Sequence, residues 1–141
     1  MLRHAEAEDG TPDAQRPLTS KGEEQSRAAG AALNALGVRL DACVSSPKVR
    51  ALDTARIACE QLDVDVREDE RLAGGPFDPR EVAAGLGDHV MLVGHEPDFS
   101  LALHRMTGAQ VRMKKAGLAA VDRGELKVLL RPSDLQALAA G

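Results

Sequence analysis

Apolar positions in this chain follow two rhythms, and the switch from one to the other divides it into elements. The stretch "LTSKGEEQSRAAGAALNALG" carries Ala28, Ala29, Ala32, Leu33 and Leu36 at helical spacing, Ser20 with Glu23 fits a capping box, and Gly37 supplies the stop. The short apolar run "LDACVSS" predicts a strand. A second helix follows in "SPKVRALDTARIACEQL", with Ser46 as N-cap, Pro47 at the first helical position, and Ala51, Ala55, Ala58 and Leu62 on its buried face. "VDVRED" reads as extended, "RLAGGPFDPR" as a surface loop, and Asp78-Pro79 as the start of a short helix.

The clearest buried strand is "HVMLVGHEP", a continuous apolar run that ends in a glycine turn. Its helix, "DFSLALHRMTG", sets Phe99, Leu103 and Met106 on one side and closes at Gly108. Beyond it, "AQVRMKK", "GLAAVDR" and "ELKVLLR" predict short strands joined by turns, and "PSDLQALAAG" one helical turn or a fraying end. Strands alternating with helices predict an α/β fold: three layers, a mostly parallel central sheet with helices on both faces, and one or more antiparallel C-terminal strands. Only Met1 and Leu2 precede Arg3, so the first strand is expected to be very short, or trimmed at its start.

Composition narrows the picture. At 141 residues, with no internal repeat or linker, the chain is expected to form one domain, 1–141. Phe77 and Phe99 are its only aromatic residues, so alanine-rich helices must lie close against the sheet, and no stacking platform for single-stranded nucleic acid exists. A net charge of -4 with acids and bases interspersed argues against a nucleic-acid partner. No apolar run approaches the ~20 residues of a membrane span. Cys43 and Cys59 lack metal-ligand spacing and read as buried thiols of a reducing compartment, so the protein is expected to be cytoplasmic.

Chemistry enters where three stretches share one placement. Arg3-His4, "SSPKVR" and "VGHEP" each lie where a parallel strand hands over to the segment after it, the edge at which open α/β sheets bind ligands. Arg3, His4, Arg50 and His95 can therefore converge. Two guanidinium groups and two imidazoles suit a phosphate dianion, and a neutral imidazole is a competent nucleophile toward phosphorus. Arg50 on the first turn of a helix opposes the helix dipole, which supports an anion site there. No metal is expected: the histidines lack ligand spacing, and two arginines would repel a cation.

"LRHAEAE", "RPLTSKGEEQS", "SSPKVRALDTA" and "VGHEPDFS", in that order, resemble the successive signatures of the histidine phosphatase superfamily (phosphoglycerate mutase-like), and of its small SixA-type phosphohistidine phosphatase branch. The resemblance covers nearly the whole chain. It implies that His4 is the nucleophile that becomes phosphorylated, that Arg3, Arg50 and His95 hold the phosphoryl oxygens, and that no cofactor is used. Ala5 stands where that family usually has glycine, which requires a negative φ at Ala5.

Larger members of the superfamily carry an acid for an alkoxide leaving group on a longer inserted segment; here that region is compact. Glu6, Glu96 and Asp98 are the other carboxylates within reach of the motifs, while Glu81 reads as part of the Asp78 helix start. A site without a dedicated acid suits a phosphorus–nitrogen bond, because imidazole is a far weaker base than an alkoxide. The expected partner is therefore a phosphorylated protein bearing phosphohistidine. A small phosphate ester, cleaved by a general phosphomonoesterase, is one alternative; a catalytically silent phosphate-binding module is another. His89, His104, Lys114-Lys115, Thr54 and Ala55 are assigned to surface or packing, and Arg16 either to a pinned loop or to the rim of the site.

Overall fold

The structure is a computed structural model describing residues 1–141. Its strands and helices are β1 (Leu2–Arg3), α1 (Ser20–Ala35), β2 (Ala42–Ser45), α2 (Val49–Cys59), β3 (Val66–Glu68), α3 (Pro79–Ala83), β4 (Val90–Gly94), α4 (Asp98–Thr107), β5 (Leu118–Asp122), β6 (Glu125–Leu130) and α5 (Pro132–Ala139). The six strands form one sheet in the order β3-β2-β4-β1-β5-β6. β1, β2, β3 and β4 run parallel, and β5 and β6 are antiparallel additions at one side. The architecture is the expected α/β one.

Alternation along the strands divides the core into two layers. Cys43, Met91 and Val93 point to one face and meet Ala29, Ala32, Ala51, Ala55 and Ala58 of α1 and α2 and Leu135 of α5. Val44 and Leu92 point to the other and meet Phe99, Leu103 and Val82 of α4 and α3. Small residues allow the close approach. A Cβ at Gly30 would run into the backbone carbonyl of Ala58, and one at Gly22 into that of Glu6, so α1 sits hard against both α2 and the loop after β1.

Several local expectations are corrected. α1 is capped by Thr19, whose hydroxyl accepts the Gly22 N–H at 3.0 Å, and not by Ser20. The Thr19 N–H is bonded to the Glu6 carbonyl, which holds Thr19 extended, so the helix starts just after it. Ser46 and Pro47 do not open α2: the Ser46 N–H still bonds Val93 in the sheet, and the helix begins at Val49. "AQVRMKK" is irregular because its backbone is engaged elsewhere, with the Met113 N–H on the Glu96 carboxylate at 3.1 Å. The C-terminal segment forms an eight-residue helix and buries Leu135 beside α1. Asp78 caps α3 as expected, accepting from Arg80 N at 2.9 Å.

A cavity of about 420 Å³ opens where β1 gives out, between Val90–Leu92 of β4 and Leu118–Val121 of β5; none of Arg3, His4, Arg50 or His95 lines it. No helix is long and apolar enough to cross a membrane.

Candidate active site

Sheet register brings the predicted residues together. β1 ends in two bonds, Arg3 N–H to Gly117 O (3.0 Å) and His4 N–H to Gly94 O (2.9 Å), which fix His4 at the carboxyl edge beside the end of β4. Because Arg3 is paired with Gly94, the next residue along β4 is His95, and the two imidazoles lie with ring centroids 5.2 Å apart and planes tilted by 52°. On the other side of β4, Ser46 N–H bonds Val93 O, so the start of the α2 segment stands next to the same point and Arg50 projects from its first turn. His4, Arg50 and His95 are each 6% exposed.

Hydrogen bonding decides what His4 offers and holds the ring of His95. His4 Nδ1 lies 2.8 Å from the Ala5 carbonyl, which can only accept; Nδ1 therefore carries the proton, and Nε2 keeps its lone pair. His95 Nε2 lies 2.8 Å from the Ser46 hydroxyl, and that hydroxyl already accepts Lys48 N–H at 3.2 Å. A hydroxyl has one proton to donate and two lone pairs, so Ser46 Oγ can hold the His95 ring in place in either tautomer. Arg3 donates Nη1–H to the Met113 carbonyl at 2.9 Å, and Arg50 donates to Asp13. After these bonds, Arg3 Nε, Arg50 Nε and His95 Nδ1 remain buried with no protein partner. An unpaired buried polar group costs about 1–3 kcal/mol, and two of these three, the guanidinium Nε groups, can only donate, so they are candidates to meet an external acceptor.

Burial and neighbouring positive charge keep both imidazoles neutral. Burial, then the charges of Arg50, Arg3 and Lys115, lowers the pKa of His4 to about 4 against the pull of the Ala5 carbonyl. Burial, then His4, Arg50 and Lys48, lowers that of His95 to about 3. Between these values and the ordinary 6.5 the unfolded chain binds more protons than the folded one, so this part of the stability is present above pH 6.5 and is lost as pH falls toward 3. Each imidazole contributes up to about 1.4 kcal/mol per pH unit in that window. Urea melts at pH 7 and pH 4.5 should show a clear loss in the wild type and a smaller one in a His4→Gln, His95→Gln double variant. Equal losses would contradict the assignment.

Other residues complete the geometry: the sequence reading assigned Thr54 and Ser46 different roles and did not single out Asp13 or Ala116. Thr54, assigned to packing, accepts the Ala5 N–H at 3.0 Å and donates to the Arg50 carbonyl at 2.7 Å, tying the His4 loop to α2. Ala116 holds a left-handed φ of 59° in the turn that presents Gly117 to Arg3, and its N–H bonds the His4 carbonyl at 3.0 Å. Ala5 is not among the residues with positive φ, as its side chain requires. Ser46 supports His95, and Asp13, an exposed loop acid, binds Arg50. Arg16 pins that loop, pairing with Asp13 at 3.0 Å and donating to Glu8 O at 2.7 Å.

Three of the candidate acids are engaged in hydrogen bonds, Glu96 at both oxygens and Glu6 and Asp98 at one each. Glu96 accepts from Ser100 N, Ser100 Oγ and Met113 N. Glu6 accepts from the Thr19 hydroxyl at 2.9 Å, and Asp98 from Gly75 N at 3.2 Å. Glu81 borders a groove beside Phe77 and Arg105 that none of the four converging residues lines. His89 and His104 are exposed and stand apart from the site, as expected.

Known proteins share both the sequence and the shape. An uncharacterised protein of Picosynechococcus is 30% identical over an alignment covering 91% of this chain and 86% of its own. The protein histidine phosphatase SixA, solved with tungstate, superposes with a TM-score of 0.81 at 22% identity over 95% of this chain and 96% of its own. The mycobacterial glucosyl-3-phosphoglycerate phosphatase, solved with inorganic phosphate, does so at 0.71 and 19% identity over 96% and 97%. The sequence model of the histidine phosphatase superfamily (branch 1) matches residues 1–81. That match runs through β1, β2 and the first turn of α2, the segments that carry Arg3, His4 and Arg50, and on that ground the chain belongs to the histidine phosphatase superfamily.

Proposed function

We propose that this chain is a hydrolase that removes the phosphoryl group of a protein-borne phosphohistidine through a phosphorylated His4. The observation that carries this reading is the pair of buried, unpartnered guanidinium donors, Arg3 Nε and Arg50 Nε, on the two arginines whose charges act on an imidazole with a free Nε2 lone pair, with the unpartnered His95 Nδ1 on the ring beside it. In the first step that lone pair forms a bond to phosphorus while the bond to the leaving imidazole nitrogen breaks, and the departing electron pair is protonated from solvent. In the second, water attacks phospho-His4, the new phosphorus–oxygen bond replaces the phosphorus–nitrogen bond, and inorganic phosphate leaves with His4 neutral again. Charge gathers on the non-bridging oxygens in both steps, where preorganised donors lower the barrier most.

The acids support this substrate class. Glu96 accepts at both carboxylate oxygens, and Glu6 and Asp98 each accept at one, so these acids are engaged in holding local structure, which favours a reading without a dedicated acid. An imidazole leaving group needs little such help. Two arginines in the pocket disfavour a metal ion, so chelators should leave the rate unchanged. The buried free thiols Cys43 and Cys59 suit a reducing, cytoplasmic setting.

The test compares release of phosphate from a phosphohistidine-bearing protein with hydrolysis of glycerol 2-phosphate, an ester whose alkoxide leaving group needs a proton. We expect the phosphohistidine protein to be turned over faster by about 100-fold or more in kcat/KM, in keeping with the usual value of a missing general acid. Faster hydrolysis of the ester would make the protein a phosphomonoesterase. If neither is turned over while inorganic phosphate still raises the melting temperature, the domain only binds phosphate.

A further inference from the structure

Asp13 lies on a single 3-10 turn, Asp13–Gln15, and its side chain is 57% exposed, yet three cations converge on it. Its Oδ1 meets Arg16 Nη1 at 3.0 Å, and its Oδ2 meets Arg50 Nη2 at 3.2 Å and Lys48 Nζ at 3.4 Å. Its backbone carbonyl accepts Arg50 Nη1–H at 2.9 Å. One residue therefore holds both terminal nitrogens of the Arg50 guanidinium. The group is planar and rigid, so fixing Nη1 and Nη2 also fixes the direction of the remaining N–H, and that Nε is the atom left buried without a partner.

We infer that Asp13 is a positioning residue: it grips Arg50 by its terminal fork and turns the Nε edge toward the phosphoryl group. This rests on the reading of Arg50 as a phosphate ligand. The loop that carries Asp13 is built as a fixed arm. Its neck is closed by Glu8 N–H to Pro17 O at 2.8 Å and by the Ala7–Leu18 bridge, and Arg16 ties the tip back to Glu8 O. Hydrogen bonds from Arg16 and Arg50 lower the Asp13 pKa to about 2, so the arm is charged throughout the working range. A carboxylate present only to compete with phosphate would be expected to engage Nε as well; here Nε has no protein partner.

Asp13→Ala and Asp13→Asn in the full chain test the idea. Alanine should lower kcat/KM roughly 10- to 100-fold, mostly in kcat, and weaken orthovanadate more than inorganic phosphate. Asparagine, whose amide oxygen still accepts from Arg50, should recover part of the loss, and melting temperatures should barely change because the side chain is exposed. Unchanged kinetics in Asp13→Ala, or tighter phosphate and faster turnover, would overturn the assignment, the latter by showing a competing anion. Arg50→Ala separates the two levels: if it too is fully active, the reading of Arg50 fails; if it is crippled while Asp13→Ala is normal, only the role of Asp13 fails.

Discussion

Alanine at position 4 is expected to abolish turnover, lowering kcat by more than about 10⁴-fold, as loss of a covalent nucleophile does elsewhere. No other residue at the site is held as His4 is: His95 Nε2 is engaged by Ser46, and Cys43 and Cys59 lie in the core layer of α1 and α2. The substitution should nevertheless leave binding intact, because Arg3 and Arg50, the proposed phosphoryl ligands, keep their unpartnered Nε donors. The fold loses one buried hydrogen bond, from Nδ1 to the Ala5 carbonyl, worth about 1 kcal/mol. His4→Ala should therefore bind inorganic phosphate with near wild-type affinity, measured by calorimetry, and turn over nothing. Residual activity above about 1% of wild type, a loss of only about 100-fold, would show that another group attacks phosphorus.

Arg50→Ala is the second large effect. Removing one preorganised donor from an oxyanion-type site typically costs about 10²–10³ in kcat. Here the whole guanidinium goes, from a position 6% exposed, and Asp13 and Lys48 are left to pair with each other. Arg50→Lys should recover little of the rate: an ammonium is a point charge and cannot hold Asp13 at two points while offering an edge to the phosphoryl oxygens. Steady-state kinetics of both variants measure this. A lysine variant at wild-type speed would mean that Arg50 supplies charge alone, without directed hydrogen bonds.

The parts of this site legible in the sequence are those that follow from strand endings. The apolar run Val90–Val93 announces a buried strand by itself, and whatever follows such a strand sits at the carboxyl edge, which places His95; the same logic places Arg3, His4 and Arg50. The layer of α1 and α2 follows from alanine stripes that only a close helix–sheet contact can bury, and the opposite layer from the Phe99 and Leu103 side of α4. What stayed hidden depends on tertiary bonds between distant segments. Thr19 and Ser20 are equally good caps by type, and only the bond from Thr19 N–H to Glu6 O decides between them. Ser46 looks like an N-cap until the sheet claims its N–H. Residues 109–115 have strand-like composition, but Met113 spends its N–H on Glu96 and its carbonyl on Arg3. Asp13 is one acid in a polar loop, and its meaning comes from Arg50, 37 positions away.

The central claim is that His4 Nε2 takes the phosphoryl group, and trapping tests it most directly. Enzyme mixed with excess phosphohistidine protein, quenched in alkali within the first turnovers and mapped by mass spectrometry, should carry an acid-labile phosphoryl group on Nε2 of His4; the His4→Ala variant should carry none. A phosphoryl group on any other residue, or full turnover with no phosphoenzyme at any time point, would contradict the mechanism.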